Sequence, residues 1–314
     1  MKKTLTVLAP ILGLLVLIIL YFVLGAVKDI NVTYGLRTVF NQSVVVAVVA
    51  TGAVFIYTLG SFDISLGAST AVSALVGGMV YIKTGNILLM FAVCVAVAIA
   101  VALINSILAS VFNLPVFVTT IAMLSVLNAM VLLLITINGT GDEIAVPGSG
   151  VSFLDNTPFK LTILIVYFLF CLFCFNFTPI GRKEKFLGGN PTCARLTGIK
   201  IKKYSIIAFV LCGIGVGLGA FLSIIYAPTL TRNVASSVGM DVIIAIVFGG
   251  MPVSGGAKSR IYAALIGAFS MSFLSQIMVM LNLNSGIGQI VKAIIFFIVV
   301  CIAAGERAKK RLPR

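Results

Sequence analysis

The chain lacks histidine and tryptophan altogether, and it has few charged residues, acidic ones above all. Without histidine, the chain can build neither a histidine general base nor a histidine-ligated metal site. Of the 314 residues, 10% are charged and 61% are hydrophobic, and the mean hydropathy is +1.21. Soluble domains have roughly 25% charged and 45–50% apolar residues. So few polar residues cannot cover a water-soluble globule, and we expect most of the chain to lie in lipid.

The six cysteines predict neither a disulfide framework nor a metal site. Five of them lie inside apolar runs, where cysteine behaves as a small hydrophobe: Cys94, Cys171, Cys174, Cys212 and Cys301. Cys193 lies in a polar segment, where we expect water to reach it. The sequence also offers no acid–base constellation. It therefore predicts no catalytic residue, no metal, no cofactor and a function other than catalysis.

The hydrophobic runs predict an all-α polytopic membrane protein with about ten transmembrane helices in two related halves. A helix needs about 20 apolar residues to cross a bilayer, and the 314 residues are interpreted as a single transmembrane domain. The predicted spans are 5–26, 42–60, 64–82, 88–112, 116–138, 161–180, 204–226, 241–257, 261–281 and 289–304. The first run is longer than the roughly 7–15 apolar residues of a cleavable signal, so we expect it to stay as the first span.

The charges are distributed unevenly, with 22 basic against 8 acidic residues and a net charge of +14. In the predicted topology, the basic residues concentrate at 181–204 and in the C-terminal tail. The positive-inside rule places these segments, and both termini, in the cytoplasm. The acids expected on the outer side are Asp29, Asp142, Glu143, Asp155 and Asp241. Anionic membrane lipid accounts for the basic excess, and no nucleic-acid partner is expected.

The stretch IVFGGMPVSGGAKSR (246–260) approaches the phosphate-binding P-loop pattern without matching it. A P-loop has lysine directly after its last glycine, because the ammonium group must reach the phosphates. Here Ala257 follows Gly256, and Lys258 comes one residue late. The stretch therefore does not predict nucleotide binding.

The same stretch aligns instead with LGSFDISLGAS (59–69) in the first half of the chain. Glycines in apolar segments break or relax helices, and paired breaks in two halves of a membrane protein point to a transport path. A chance match between Gly-rich pieces is the alternative. The residues predicted to line a path or gate are Asp63, Ser65, Asn105, Gly249, Gly250 and Ser254.

Asp63 has two interpretations that the sequence leaves open. A charge at the bilayer centre costs about 2.5–3.5 kcal/mol on insertion scales. Asp63 is therefore expected either to act in the transport path or to stabilise the local backbone. The local effect would be capping of the following helix by the Asp63 side chain. The other polar residues within spans carry amides and hydroxyls, which suit a neutral polyhydroxylated solute, or else hydrogen-bond between helices.

The segment 181–204 is predicted to be a cytoplasmic loop with its own short helix. Asn190 suits the N-cap, Pro191 the first helical position and Gly198 the position past the end. So short a helix is marginal alone and would hold its shape when docked on a partner. A solvated basic loop is the alternative.

The motif GGNPTCARLTGIKIKKY (188–204) resembles the coupling segment of the membrane subunits of ribose-type ATP-binding cassette (ABC) importers. GSFDISLGAS (60–69), ALINSILASVFNLPVFVTT (102–120) and IVFGGMPVSGGAKSRIYAALIGA (246–268) resemble further segments of that family in the same order, over about residues 40–305. Thr192 departs from the family, which usually has an acidic residue there.

The resemblance implies a permease of a bacterial inner membrane that imports a monosaccharide such as ribose. It implies a second permease subunit in a homo- or heterodimer, a cytoplasmic ATP-binding subunit and an extracytoplasmic solute-binding protein. The residues to which it carries the ATPase-coupling role are Gly188, Gly189, Asn190, Pro191, Ala194, Arg195 and Gly198. The alternatives are a permease of the same class for a nucleoside or furanose-like signal, and an ion-coupled secondary transporter.

Overall fold

The computed structural model describes residues 2–139, 142–231 and 236–311. Within these ranges the chain forms twelve α-helices, one small sheet and two 3₁₀ turns. The helices are α1 (Lys2–Val27), α2 (Val32–Thr58), α3 (Leu66–Thr84), α4 (Ile87–Val111), α5 (Val116–Asn138), α6 (Thr157–Phe177), α7 (Pro179–Gly189), α8 (Pro191–Leu196), α9 (Ile201–Tyr226), α10 (Ser236–Phe248), α11 (Tyr262–Met280) and α12 (Ser285–Arg311). Strands β1 (Glu143–Ala145) and β2 (Thr229–Thr231) pair antiparallel, and Gly148–Gly150 and Ser152–Leu154 are the 3₁₀ turns.

Local signals in the sequence explain where several helices begin. The Asn31 side chain accepts a hydrogen bond from the Thr33 amide at the start of α2, and Asn86 does the same for two amides of α4. Pro115 lies between α4 and α5, where it favours a chain break because it has no amide hydrogen.

Among the described residues, eight helices are long and apolar enough to cross a membrane, which confirms the prediction of an all-α polytopic membrane protein. Shorter apolar segments lie within α10, at Val238–Phe248, and within α12, at Gly286–Cys301. The predicted span 241–257 is wrong as a continuous helix, since α10 ends at Phe248 and residues 249–261 are turns and bends. The count of ten crossings therefore stays a prediction.

The connections between helices gather at two ends of the bundle. At one end, which we call the strand end, β1 pairs with β2, and the Lys28 ammonium donates to the Met280 carbonyl over 2.8 Å. An ion pair joins Arg37 to Asp155 there. The opposite end carries residues 59–65, α7, α8 and residues 249–261, and we call it the junction end.

The core of the bundle is built around α2, α3, α9, α10 and α11. Glycine also lets α9 of this core approach the neighbouring α4 closely. A Cβ on Gly217 of α9 would lie 2.5 Å from Val95 Cα of α4, so only glycine fits this contact. The outer helices α1, α4, α5 and α6 expose apolar side chains over much of their length, as expected of surfaces that face lipid.

Candidate functional site

The two Gly-rich breaks that the sequence aligned lie in direct contact at the junction end. The Gly256 amide donates to the Thr58 carbonyl at the end of α2 over 2.8 Å. Gly255 has φ of +63°, and a Cβ there would lie 2.4 Å from the carbonyl oxygens of Tyr57 and Thr58. Both the backbone conformation and the lack of space require glycine at this position.

Helix α7 is the third segment that contacts the backbone at this point. A Cβ on Gly188 would lie 1.8 Å from the Thr58 carbonyl oxygen and 3.0 Å from the Gly256 amide nitrogen. The next glycine, Gly189, lies beside Gly256, whose own Cβ would come within 3.0 Å of the Gly189 Cα. We call this three-way backbone contact the glycine junction: 58–60, 188–189 and 254–256.

The short helix predicted after Asn190 is confirmed as α8, Pro191–Leu196. Its N-cap is Asn190, whose side-chain oxygen accepts from the Cys193 amide over 3.0 Å. Ala194 is fully buried against the chain itself, so it anchors α8 to the bundle. Arg195 and Leu196 are exposed, Leu196 by 83%. The helix therefore presents a free surface at the junction end while one side chain holds it in place.

Helix α7 was missed, since one short helix was expected across 181–204 and the structure has two. Thr178 caps the start of α7 and Pro179 occupies its first position, both of which are sequence signals for a helix start. The buried face of α7 is formed by Gly181, Glu184 and Leu187, at helical spacing. Through this buried face, α7 packs against the bundle along the junction end.

Glu184 is the unusual member of that buried face. It has no exposed surface, and neither of its carboxylate oxygens has a hydrogen-bond partner among the described residues. Burial raises the pKa of Glu184 well above its ordinary value, and the neighbouring Lys185 charge only partly opposes this. The Lys185 ammonium points away, to within 3.2 Å of the Asn176 side-chain oxygen. Burial therefore favours the protonated, neutral form of the Glu184 carboxyl.

Three of the predicted path residues form one hydrogen-bonded chain inside the bundle. The Asp63 carboxylate accepts from the Ser65 amide over 2.8 Å and from the Ser65 hydroxyl over 2.7 Å. The Asn105 side-chain amide of α4 donates to the same hydroxyl over 2.9 Å. Asp63 thus stabilises the turn before α3 and also joins a buried cluster, and its role in a transport path stays a prediction. Thr120 of α5, which the sequence did not single out, accepts from the Ile64 amide over 3.4 Å.

A small cavity adjoins this cluster. It has a volume of about 10 Å³ and is lined by Asp63, Ser69 and Asn105, among apolar side chains of α4 and α9. That volume holds about one water molecule. The side-chain oxygen of Asn105 has no hydrogen-bond partner among the described residues. A sugar does not fit here, so the interior is closed at this point.

The remaining predicted path residues, Gly249, Gly250 and Ser254, lie at the junction end and make none of the hydrogen bonds of Asp63. A Cβ on Gly249 would lie 1.9 Å from the Ala263 carbonyl oxygen of α11. One on Gly250 would lie 2.8 Å from the Pro10 ring of α1. The structure therefore divides the six residues into an interior polar cluster and a set of packing positions.

Comparison with known proteins gives one family and several similar relatives. The family model described as branched-chain amino acid transport system / permease component matches residues 35–302. The chain is 27% identical over 301 residues to the ribose import permease protein RbsC of Bacillus subtilis, covering 94% of this chain and 92% of the relative. It is 25% identical over 274 residues to the ribose import permease protein RbsC of Escherichia coli K12, covering 85% and 84%. It is 26% identical over 309 residues to the L-arabinose ABC transporter permease protein AraH of Azospirillum brasilense, covering 94% and 88%. No solved structure matches the chain.

Proposed function

Because the chain belongs to the family of branched-chain amino acid transport system permease components, we propose that it is the membrane subunit of an ABC importer for a monosaccharide, most simply a pentose such as ribose. The three relatives described above are named for pentoses, two for ribose and one for L-arabinose. In this closed interior, Asp63, Ser65 and Asn105 bond to one another; when the path opens, their hydroxyl, amide and carboxylate groups would bind the hydroxyls of a sugar.

The observation that carries the proposal is the glycine junction. Helix α8 exposes Leu196 to a partner, and Ala194 fixes α8 to the bundle. Helix α7 then contacts the end of α2 and the segment 254–256 so closely that a methyl group on Gly188 would overlap the backbone. From Thr58 the chain leads within a few residues to Asp63, so a push on α8 reaches the interior cluster. ATP-driven closure of a docked ATPase pair would deliver such a push.

The proposal includes the partners and the orientation. The junction end and both termini face the cytoplasm, where the basic segment 181–204 meets an ATP-binding subunit and anionic lipid. The strand end faces outward and receives a solute-binding protein. A second permease subunit, identical or related, completes the path in a bacterial inner membrane.

Two alternatives remain as outcomes of the tests. A nucleoside or furanose-like signal would use the same coupling and the same hydroxyl-binding groups. An ion-coupled secondary transporter would use Asp63 to bind the coupling ion, because buried carboxylates within membrane spans serve as ion or proton sites. The contacts of α7 at the glycine junction and the exposed surface of α8 favour the importer, since a secondary transporter needs no docking helix.

The experiment is a pull-down of the tagged chain from its own host in a mild detergent, with Leu196→Asp as the test variant. Leu196 is an apolar side chain of α8 that is 83% exposed, so a charge there should remove an ATP-binding partner while membrane insertion is unchanged. Phe153→Asp is the matched control, because Phe153 is 62% exposed at the strand end. The importer is contradicted if no ATPase co-purifies with the unaltered chain. The docking surface is contradicted if Leu196→Asp retains the ATPase as well as Phe153→Asp does.

A further inference from the structure

A buried ion pair joins α10 to α12. The Lys292 ammonium donates to the Asp241 carboxylate over 2.6 Å, and both side chains are buried. The structure thus buries the Asp241 side chain in the bundle, while the expectation that it lies on the outer side of the membrane stays a prediction. Residues 241–247 of α10 are all buried, which a short apolar run does not reveal. An ionisable residue inside a membrane bundle is costly and points to a function together with its partner.

Lys292 is the residue of α12 whose charged side chain reaches into the bundle and contacts α10. In the described part of this helix outside its ends, 286–301, the two buried residues are Gly288 and Lys292, one turn apart. Ile290 and Phe297 are exposed by 60% and 69%, and α12 packs mainly on α10. Glycine has no side chain to hold a neighbour. The half-buried Val291, Ile295 and Phe296 also pack against the core, so α12 is attached by apolar contacts and by one buried charged side chain that reaches a carboxylate on α10.

Helix α10 in turn is tied to both parts of the candidate site. Beyond Phe248 the chain continues to Gly256, whose amide bonds to the Thr58 carbonyl in the glycine junction. Near the other end of α10, a Cβ on Gly239 would lie 3.0 Å from the Gly67 amide nitrogen at the start of α3. These contacts place α10 and the segment that follows it between the start of α3 and the glycine junction.

We propose that the Asp241–Lys292 ion pair makes α12 follow α10 during transport, so that movement of α7 passes through residues 249–256 and α10 to α12. The pair acts as a positioning device, and Asp241 and Lys292 need not touch the solute. This inference rests on the proposed importer, because it needs a docked ATPase to supply the movement.

The test compares sugar uptake with ATP hydrolysis in the assembled importer in proteoliposomes. The first variant, Asp241→Leu with Lys292→Met, removes both charges and leaves apolar side chains, which a buried site often accepts without loss of stability. The second, Asp241→Lys with Lys292→Asp, reverses the pair. Gln289→Met is the control, because Gln289 lies on the exposed face of α12.

We expect the apolar pair to assemble and hydrolyse ATP, with uptake per ATP lower by about tenfold, within the usual range of couplings between sites. The reversed pair should restore most of the ratio, and Gln289→Met should not change it. The inference is overturned if the apolar pair keeps the normal ratio, or if uptake and hydrolysis fall together in proportion to the protein in the membrane.

If the reversed pair does not assemble, a distance measurement between α4 and α12 tests the inference instead. Spin labels at Ile104→Cys on α4 and Phe297→Cys on α12 would report the position of α12, since both sites are well exposed. The exposed Cys193 and Cys301 are replaced with serine first. ATP should change the distance in the chain with the native pair and leave it unchanged in the apolar pair, and an equal change in both overturns the inference.

Failure of the importer itself is distinguishable from these results. If the unaltered chain brings down no ATPase, the proposed function fails. If the ATPase binds and the apolar pair behaves as the unaltered chain does, only the role of the ion pair fails.

Discussion

Replacing Gly188 with alanine adds one methyl group at the point where α7 meets the end of α2. The new Cβ would lie 1.8 Å from the Thr58 carbonyl oxygen and 3.0 Å from the Gly256 amide nitrogen. Both are backbone atoms, which cannot rotate out of the way, so α7 must shift. Overpacking of this kind costs about 1–3 kcal/mol. Since the shift occurs at the glycine junction, we expect Gly188→Ala to lower both the melting temperature and the uptake per ATP.

The adjacent glycine supplies the control for this prediction. A Cβ on Gly189 would meet nothing within 4 Å, although it adds the same methyl group to the same helix. Glycine in a helix costs roughly 0.5–1 kcal/mol relative to alanine, so Gly189→Ala should be as stable as the unaltered chain or more so. The assay is thermal unfolding of the purified importer together with uptake and ATP hydrolysis in proteoliposomes. If the two variants transport alike, the glycine junction does not transmit the movement.

Three further predictions concern other parts of the molecule. Asp63→Asn keeps an oxygen that accepts from Ser65, so the chain should fold normally while uptake falls if the carboxylate works in the path; normal uptake would leave Asp63 with capping alone. Because burial raises the pKa of Glu184, the folded state should lose stability as pH rises from the ordinary glutamate pKa towards the raised one, and the melting temperature of Glu184→Gln should not show this loss. Gly217→Val would push α9 from α4 and should lower the melting temperature, with unchanged melting as the contrary result.

The parts of the site that the sequence predicted are those fixed by neighbours along the chain. Asn190, Pro191 and Gly198 mark the start and end of α8 through local backbone chemistry, and the helix lies where they predict it. The contact of Asp63 with Ser65 is equally local. The membrane character follows from composition, because the solvent of so apolar a chain must be lipid.

The parts that the sequence did not predict depend on how distant segments pack. Nothing local indicates that Glu184 turns inward or that Asp241 meets Lys292 across 51 positions. The alignment of the two Gly-rich breaks identified the right segments, whereas their direct contact through Gly256 and Thr58 appears only in three dimensions. The predicted span 241–257 runs past the end of α10 at Phe248, although Gly249, Gly250 and Pro252 are residues that end helices.

The most direct test of the importer is uptake of radiolabelled ribose into proteoliposomes that hold the complete complex, with the solute-binding protein outside and ATP inside. The measurement is made with an uncoupler and a sodium ionophore present, so that ATP is the remaining energy source. The importer predicts uptake that persists under these conditions and stops when ATP is left out. Uptake that stops with the uncoupler or the ionophore while ATP is present would contradict it and favour the ion-coupled transporter.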